Sequence, residues 1–379
     1  MIKEVRPATS PQKVSNSTFF LSPLRIPYLD STHFSTTFPS SNYELPTMIQ
    51  FALPSLSFAT RWGIALVAVG YRLQQIYTLY FRVPASPLQN YKRNGSLKSN
   101  GEKNESSVAW ALITGSSAGI GFGYAQYLLS RGFGVIILSH EGVQEAEEAL
   151  LKEYPNGHVR SITMDCLTAS PSDIENLVKS ISDLNVTILI NNVGSIPMDY
   201  PPFRLFRDYD SQGIENNWHL NAGFATHLTQ QMIPILEKNA QPRSLILNIA
   251  SQAHIGLPYL TGYSSAKGYL ISFSASLARE FRLFNTPIDC LAITPGDVHS
   301  QGNRYGVTPG APQAGEYAKI VLERVDGAVE RGLFEFSPYW KHALQSFMLG
   351  LLPERVVARE VLKVVAAKKD ALAEEHRSR

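Results

Sequence analysis

Tyr263 and Lys267 are the residues of this chain whose types and spacing suggest a reaction. They stand four positions apart, so on a helix both side chains project from one face, one turn apart. An ammonium group beside a phenol favours the phenolate and is expected to lower the phenol pKa from about 10 toward neutrality. A tyrosine tuned in this way can donate a proton to a carbonyl oxygen. Because the chain contains 17 tyrosines, chance alone can supply such a pair, and the prediction depends on its surroundings.

A glycine-rich turn far upstream offers a second piece of chemistry. The apolar run 108–114 is typical of a buried strand, and Gly115-Ser-Ser-Ala-Gly119-Ile-Gly121 follows it directly. Gly115 permits a tight turn, Gly119 lets the backbone approach a pyrophosphate, and Gly121 lets the next helix pack on the strand. The anion would then bind at a helix N-terminus. The pattern predicts a dinucleotide site, with an ordinary glycine loop as the alternative.

These residues need a framework, and short apolar runs downstream of residue 107 predict one. The expected strands are 108–114, 134–139, 159–165, 186–191, 244–249 and 289–294. Amphipathic stretches separate them, and one is expected to begin a helix with Ser170 as N-cap and Pro171 at the first position. This alternation predicts a parallel sheet covered on both faces, the α/β doubly wound Rossmann fold, in a single catalytic domain.

In such a sheet, ligands bind beyond the carboxyl ends of the strands. The polar candidates fall there: the glycine turn, Asp165, Asn191, Asn192, Ser251 and Pro295-Gly296. Taken singly, Ser251 is more often an ordinary strand-end hydroxyl than a catalytic group, and Asp165 is equally an ordinary turn former. Their shared location at one edge of the sheet favours a site.

The composition argues against several classes of function. The chain has 34 basic and 32 acidic residues, a balance that gives no support for nucleic-acid binding. Its two cysteines, Cys166 and Cys290, are far apart and lack clustered histidines, so neither a disulfide framework nor a metal site is indicated. A hydrophobic content of 44% suffices for a buried sheet. We expect an enzyme facing the reducing cytosol.

The N-terminal part differs in kind. Residues 1–47 are rich in Ser, Thr and Pro and are predicted to be disordered, and the break at Met48 predicts that they are dispensable or that translation begins there. Residues 48–83 form a hydrophobic segment. Its stretch 51–81 is interrupted by arginines and glutamines, and its longest uncharged apolar part falls short of the roughly 20 residues that a spanning helix needs. A helix that lies in the membrane interface is therefore at least as well supported as one that spans the membrane, and a helix that packs on the enzyme is the alternative. Residues 84–107 read as a solvated linker.

Together these motifs resemble the short-chain dehydrogenase/reductase family. The matching positions, in the family's order, are Thr114 to Gly121, Asn191-Asn192-Val193-Gly194, Asn221, Ser251, Tyr263-x-x-x-Lys267 and Pro295-Gly296. Within the family the chain is most similar to the membrane-bound very-long-chain 3-oxoacyl-CoA reductases and their 17-beta-hydroxysteroid dehydrogenase relatives. That likeness rests on Val193, Leu247 to Ser251, Tyr339 to Leu344, and Leu351 to Glu354. The resemblance spans about residues 108 to 365.

The resemblance implies a role for each catalytic candidate. Tyr263 would protonate the substrate carbonyl as hydride arrives from a nicotinamide. Lys267 would lower the tyrosine pKa and bind the nicotinamide ribose, while Ser251 would hold the carbonyl oxygen. Asn221 would support a water chain that returns a proton to Lys267, with Asn216 and Asn217 as alternatives. Ser251 lies 12 residues before Tyr263, one fewer than is usual, so a shortened loop is predicted.

The resemblance also implies the cofactor contacts. They are Gly115, Ser117, Gly119, Ile120, Gly121, Asp165, Asn192, Tyr263, Lys267, Pro295, Gly296, Val298 and Ser300. Ser139 ends the second strand, where NAD-binding relatives carry an acidic residue, and His140 stands where the resembled branch has an arginine. We therefore expect NADP(H) rather than NAD(H), with Asp165 near the adenine ring.

The expected reaction is NADPH-dependent reduction of a lipophilic ketone to a secondary alcohol, foremost 3-oxoacyl-CoA to 3-hydroxyacyl-CoA in very-long-chain fatty-acid elongation. A hydroxysteroid dehydrogenase, or a reductase of another lipophilic ketone, is the alternative, and a non-catalytic nucleotide-binding scaffold a minor one. A substrate lid is predicted at about 297–337, with helices at 338–350 and 354–370 after it. Likeness to the membrane-bound branch implies the endoplasmic reticulum membrane, with the catalytic domain of 108–379 facing the cytosol. A homodimer is the assembly we consider.

Overall fold

The computed structural model describes residues 58–92, 108–197, 201–304 and 306–378. It comprises two compact units, Met1–Ala68 and Val69–Arg379. Helix α1 (Phe58–Tyr80) contains the described residues of the first unit and continues into the second. The disorder predicted for 1–47 lies outside the described residues, as does the 93–107 part of the predicted linker.

The strands are β1 (Trp110–Thr114), β2 (Gly134–Ser139), β3 (Val159–Thr163), β4 (Val186–Asn191), β5 (Ser244–Ile249), β6 (Ile288–Ile293) and β7 (Glu335–Phe336). They form one parallel sheet in the order β3-β2-β1-β4-β5-β6-β7. The predicted doubly wound parallel sheet is confirmed, and the six predicted strands are observed with bounds that differ by no more than two residues. Strand β7 was missed because two residues are too few to show a periodicity.

The remaining helices are α2 (Gly119–Ser130), α3 (Val143–Glu153), α4 (Pro171–Ser180), α5 (Ser211–Trp218), α6 (Phe224–Asn239), α7 (Thr261–Leu283), α8 (Ala314–Glu330), α9 (Trp340–Gly350) and α10 (Glu354–Ser378). Helix α4 begins as predicted, since the Ser170 hydroxyl accepts a hydrogen bond from the Asp173 N–H at 3.2 Å. Helices α9 and α10 match the predicted C-terminal helices, although α10 runs beyond residue 370 through residues with high helix propensity.

Two apolar cores lie on opposite faces of the sheet. Alternate strand residues supply them, as in β1, where Ala111 and Ile113 face one core and Leu112 the other. Helices α2, α3 and α8 cover the first face, and α4, α6 and α7 cover the second. The sheet is therefore sealed on both faces, and its carboxyl edge is left to hold a site.

The lid predicted at 297–337 is wrong beyond residue 313. Residues 314–330 form α8, and its Tyr317, Val321 and Val325 are fully buried in the first core. Apolar side chains at that helical spacing belong to the body of the fold. The part of the predicted lid that precedes this helix is the loop between β6 and α8, from residue 297 to 313.

The solvated linker predicted at 84–107 is wrong for its described start. Leu88 and Tyr91 are buried, at 0% and 1% exposure. The Leu88 N–H donates to the Asp326 carboxylate at 2.8 Å, and the Tyr91 hydroxyl donates to Asp289 at 3.0 Å. The burial of these two side chains and their hydrogen bonds fixes this segment to the strands and helices of the second unit.

Helix α1 ends against the same unit. Arg324 donates to the Tyr80 carbonyl at 2.8 Å, and the Tyr80 ring packs at 5.7 Å from that of Phe336. Just before this contact, Leu73 and Tyr77 are each 61% exposed. Among the described residues, no helix combines the length with the apolar character that crossing a bilayer requires.

Candidate active site

The glycine turn lies between β1 and α2 in the predicted conformation. Gly115 and Gly119 have φ values of +64° and +60°, where a side chain would be strained. A Cβ on Gly121 would collide with the Gly115 carbonyl oxygen. Helix α2 starts without a side-chain cap, so its first N–H groups can serve an anion.

Asn192 braces this turn from the end of β4. Its side-chain N–H groups donate to the carbonyls of Thr114 and Gly115, each at 3.0 Å. The Thr114 hydroxyl in turn accepts hydrogen bonds from the backbone N–H groups of Asn192 and Val193 at 3.0 Å. The side chain of Asn192 thus shapes the turn, and its predicted cofactor contact would be additional to that.

The loop after β6 faces the glycine turn. The Ser300 Cβ lies 3.6 Å from where a Cβ on Gly119 would stand, and Val298 is buried. A cavity of about 390 Å³ adjoins both segments and is lined by Gly119, Ser300 and Arg304 among others, but it does not include Tyr263. On the other side of the turn, the Ser117 N–H donates to the Ser139 hydroxyl at 3.0 Å. Ile120 packs, partly buried, on the first core.

Asp165 forms hydrogen bonds with residues that follow it closely in the chain. Its exposed carboxylate accepts hydrogen bonds from the Leu167 N–H at 2.9 Å and the Thr168 hydroxyl at 3.2 Å. This is the geometry of a strand-end turn former, the alternative interpretation of this residue. Its contact with an adenine ring stays a prediction.

Tyr263 and Lys267 lie one turn apart on α7, next to the end of β5. The Lys267 ammonium is buried, donates to the Ile249 carbonyl at 2.9 Å, and lies 5.6 Å from the centre of the Tyr263 ring. Ser251 follows β5, and its hydroxyl hydrogen-bonds with the Tyr263 side chain while accepting from the Ala253 N–H at 3.1 Å. The structure therefore brings the three predicted catalytic side chains together.

The expected lowering of the tyrosine pKa is not observed. Burial raises the pKa of Tyr263 above its ordinary value, and the hydrogen bond from Ser251 only partly offsets this. Burial also lowers the pKa of Lys267 to about 8. The sequence expectation had the wrong sign because spacing reveals the neighbouring charge but not the loss of water around the phenol.

Asn221 is the asparagine that lies near Lys267, on the other side of Gly194. It lies in a π-helical turn (His219–Gly223) between α5 and α6, and its carboxamide oxygen accepts a hydrogen bond from the Ser195 N–H at 3.0 Å. Its side-chain N–H group donates to the carbonyls of Ser195 and Asn217, at 2.9 and 3.1 Å. A Cβ placed on Gly194 would be 2.8 Å from both the Asn221 oxygen and the Lys267 nitrogen. These two polar atoms therefore border the same point.

The alternative asparagines are placed differently. Asn216 accepts a hydrogen bond from Gln212 at 2.8 Å on the exposed side of α5. Asn217 is buried against Gly262, where a Cβ would lie 3.1 Å from its carboxamide oxygen. Only Asn221 of the three, all of them described, borders Gly194 together with Lys267.

The short loop between Ser251 and Tyr263 is shaped by a 3₁₀ turn, a left-handed residue and a hydrogen bond to α7. A 3₁₀ turn (Gln252–Ile255) follows Ser251, and Tyr259 takes a left-handed backbone with φ of +65°. The Leu257 N–H donates to the Ser264 hydroxyl at 3.0 Å and so fixes the loop to α7. Positive φ is uncommon for an aromatic residue and indicates that the surroundings hold it there.

His342 is a site residue whose role sequence reasoning missed. Its Nδ1 accepts a hydrogen bond from the Gly296 N–H at 3.1 Å, so Nε2 carries the proton and donates to the Asp297 carbonyl at 3.0 Å. Burial lowers the pKa of His342, in agreement with a neutral ring. It thereby fixes the loop that begins at Pro295 and Gly296. The signal was the segment Tyr339 to Leu344, which was used only as a mark of the resembled branch.

The geometry fits a dinucleotide. Gly115 and Gly119 have positive φ, and Gly121 has no room for a Cβ. Helix α2 presents uncapped N–H groups, and Ser300 faces Gly119 from the loop after β6. The buried ammonium of Lys267 lies toward the same edge, beyond Gly194. These residues would hold the pyrophosphate and the nicotinamide ribose.

Comparison with known proteins agrees with this geometry. The family described as short chain dehydrogenase matches residues 109–307. The very-long-chain 3-oxoacyl-CoA reductase of Scheffersomyces stipitis is 30% identical over 282 residues, which is 70% of this chain and 75% of the relative. Putative steroid dehydrogenase 2 of Caenorhabditis elegans is 30% identical over 266 residues, 69% of this chain and 81% of the relative. The solved short chain dehydrogenase of Salmonella enterica serovar Typhi superposes with a TM-score of 0.53 at 19% identity, covering 61% of this chain and 96% of that one.

Proposed function

Since this chain belongs to the short-chain dehydrogenase family, we propose that it reduces the ketone of a 3-oxoacyl-CoA to the corresponding alcohol with NADPH. The enzyme is an oxidoreductase of the NAD(P)-dependent type. The observation that carries the proposal is the convergence of Ser251, Tyr263 and Lys267 beside a glycine turn shaped for a dinucleotide. Relatives named as very-long-chain 3-oxoacyl-CoA reductases support the substrate class.

Tyr263 serves as the acid in this scheme. Because burial raises its pKa, the phenol keeps its proton at neutral pH and can give it to a ketone oxygen. The nicotinamide supplies the hydride. The Ser251 hydroxyl lies beside the phenol. It would donate a hydrogen bond to the substrate oxygen, and that bond strengthens as negative charge develops on this oxygen.

Lys267 and Asn221 restore the proton. With a pKa of about 8, the Lys267 ammonium is largely charged at neutral pH and close to losing its proton. Its position against Asn221, around Gly194, allows a proton from solvent to reach it by a short route. This proximity supports a role for the pair in proton return after Tyr263 has donated.

NADPH is favoured by the end of β2. Ser139 stands where a carboxylate would repel a 2′-phosphate, and its hydroxyl is held by the Ser117 N–H at 3.0 Å. His140 is exposed next to it and contributes positive charge when protonated.

A lipophilic substrate is supported by the apolar cluster around Tyr263. Phe203, Leu260 and Val365 are its buried members, and Ile196 and Leu257 flank them. Exposed apolar side chains along α1 support attachment to a membrane, and the resembled branch supports the endoplasmic reticulum. A reductase that lies on the bilayer can take its acyl substrate from the adjacent lipid phase.

A side-by-side assay tests the substrate. Purified protein is mixed with NADPH and either a long-chain 3-oxoacyl-CoA or a panel of ketosteroids, and the loss of NADPH absorbance is followed, with Tyr263→Phe as the inactive control. We expect turnover of the acyl-CoA. Ketosteroid turnover alone would replace our proposal with the second candidate, which the relatives named as steroid dehydrogenases favour. Equal NADPH loss with the Tyr263→Phe protein would refute the catalytic assignment.

A further inference from the structure

The C-terminal helix α10 makes a polar contact with the loop that follows the cofactor-binding residues. The Lys368 ammonium donates to the Asp297 carboxylate and to the Asn303 carboxamide oxygen, each at 3.0 Å. The two charged side chains are 20% and 17% exposed. At this burial the pair is screened much less than a surface ion pair.

The Asp297 carboxylate holds this loop together by accepting several hydrogen bonds from it. It accepts hydrogen bonds from the Thr308 N–H at 2.6 Å, the Thr308 hydroxyl at 2.8 Å and the side-chain amide of Asn303 at 2.7 Å. These donors belong to residues 297–308, which we call the Asp297 loop. Lys368 adds a donor from outside the loop and supplies the opposite charge. The loop is therefore shaped by its own hydrogen bonds and tied to α10 by Lys368.

The backbone of the Asp297 loop also rests on α10. Gly306 has a φ of +59°, and a Cβ there would lie 3.2 Å from the Cα and Cγ of Lys368. A side chain at this position would be strained and would press on the helix. This close approach agrees with a loop that is held in one position against Lys368.

The same stretch of α10 contacts the segment that carries the catalytic tyrosine. The Lys369 ammonium lies 4.6 Å from the centre of the Tyr259 ring, and Tyr259 holds the strained backbone described above. Val365 is buried in the cluster that includes Leu260 and touches Tyr263. Residues 365–369 thus connect the Asp297 loop with the Tyr263 segment.

We propose that Lys368 is a positioning residue for ketone binding: it holds the Asp297 loop against α10, so that loop and helix together form the wall of the substrate pocket beside Tyr263. The inference rests on the proposed function, since the pocket is defined by the ketone that Tyr263 protonates. It assigns α10 to the active site. The Val298 carbonyl accepts from the side-chain amide of Asn303 at 2.8 Å, and Ser300 exchanges two backbone hydrogen bonds with Asn303 at 3.1 and 3.3 Å. Because these bonds do not involve Lys368, cofactor binding is expected to depend less on it.

The test compares Lys368→Met, Lys368→Arg and Lys363→Met in the full chain. Lys363 lies on the same helix, is exposed and pairs with Glu360, so its methionine variant is the matched control. We expect Lys368→Met to raise KM for a long-chain 3-oxoacyl-CoA about tenfold, equivalent to about 1.4 kcal/mol. The values of kcat and of KM for NADPH should change by less than about threefold, Lys368→Arg should recover most of the loss, and Lys363→Met should match the unaltered enzyme.

Limited trypsin digestion gives a second measurement that needs no substrate. Arg304 lies in the Asp297 loop, and cleavage after it should be faster in Lys368→Met than in Lys363→Met, with Lys368→Arg in between. An unchanged KM together with unchanged cleavage would overturn the proposal, as would equal effects of the Lys368 and Lys363 variants. If Lys368→Met does not fold, Lys368→Gln, which removes the charge but keeps a polar side chain, must raise the same KM. Absence of any acyl-CoA turnover in the unaltered enzyme would refute the proposed function alone, and the cleavage comparison would still decide the role of Lys368.

Discussion

Gly194→Ala tests the arrangement of Lys267 and Asn221 with a single methyl group. A Cβ at this position would lie 2.8 Å from both the Lys267 nitrogen and the Asn221 oxygen. Ordinary contacts of a carbon begin near 3.4 Å, so an atom must move by at least about half an ångström. Asn221 is fixed by its hydrogen bonds to both backbone groups of Ser195, whereas the Lys267 ammonium has one hydrogen bond to a protein group, at Ile249. We therefore expect Lys267 to move.

Displacement of Lys267 should reduce turnover without unfolding the protein. Misplacement of a catalytic group by about 1 Å costs on the order of 10²-fold in rate, so we expect kcat to fall between about tenfold and 10²-fold. Because φ at Gly194 lies outside the left-handed region, the backbone accepts alanine. The matched control is Gly350→Ala, at the end of α9, where a Cβ meets no atom within 4 Å. Steady-state kinetics and thermal melts of both variants give the answer, and a wild-type kcat in a folded Gly194→Ala protein would refute the reasoning.

Three further outcomes are expected. Ser139→Asp should shift the ratio of kcat/KM for NADPH over NADH toward NADH by about tenfold or more, since a carboxylate there repels the 2′-phosphate; an unchanged ratio would contradict the placement of Ser139. Lys267→Met should abolish turnover yet stabilise the protein at pH 7 by about 1 to 3 kcal/mol, because the pKa of Lys267 is lowered from 10.5 to about 8 by burial. Between about pH 8 and 10.5, Lys267 is protonated in the unfolded chain but has lost its proton in the folded one. The stability difference between Lys267→Met and the unaltered protein should therefore shrink as pH rises through this range, and urea titrations at several pH values measure it. In the unaltered enzyme, kcat for ketone reduction should fall above about pH 8 as Lys267 loses its proton, whereas a flat profile to pH 10 would exclude it from proton return.

The sequence predicted the fold well because its signals are local. Each strand of the sheet except β3 and β7 is a short, mainly apolar run. In the turn at Gly115 to Gly121, the positive φ values of Gly115 and Gly119 favour glycine. The errors fall where tertiary contacts decide. Leu88 and Tyr91 sit in a polar stretch that reads as a linker, but their partners Asp326 and Asp289 are about 200 residues away in the chain.

The candidate site was predictable for the residues that follow strands and not for those that reach it from elsewhere. Tyr263, Lys267 and Ser251 belong to adjacent segments at one edge of the sheet, so their order in the chain implied their proximity. His342 and Lys368 come from helices after the sheet, and no spacing links them to Asp297. Their roles required the coordinates of both partners.

The wrong sign predicted for the Tyr263 pKa bears on the direction of the reaction. A phenol with a lowered pKa would be a base at neutral pH and would suit oxidation of an alcohol, whereas one with a raised pKa keeps its proton and suits reduction of a ketone. Here the loss of hydration around Tyr263 outweighs the interactions that favour the phenolate. The same loss of hydration lowers the pKa of Lys267. The same burial thus readies the tyrosine to give a proton and the lysine to pass one on. This arrangement supports the proposed direction, in which Tyr263 donates a proton to a carbonyl oxygen.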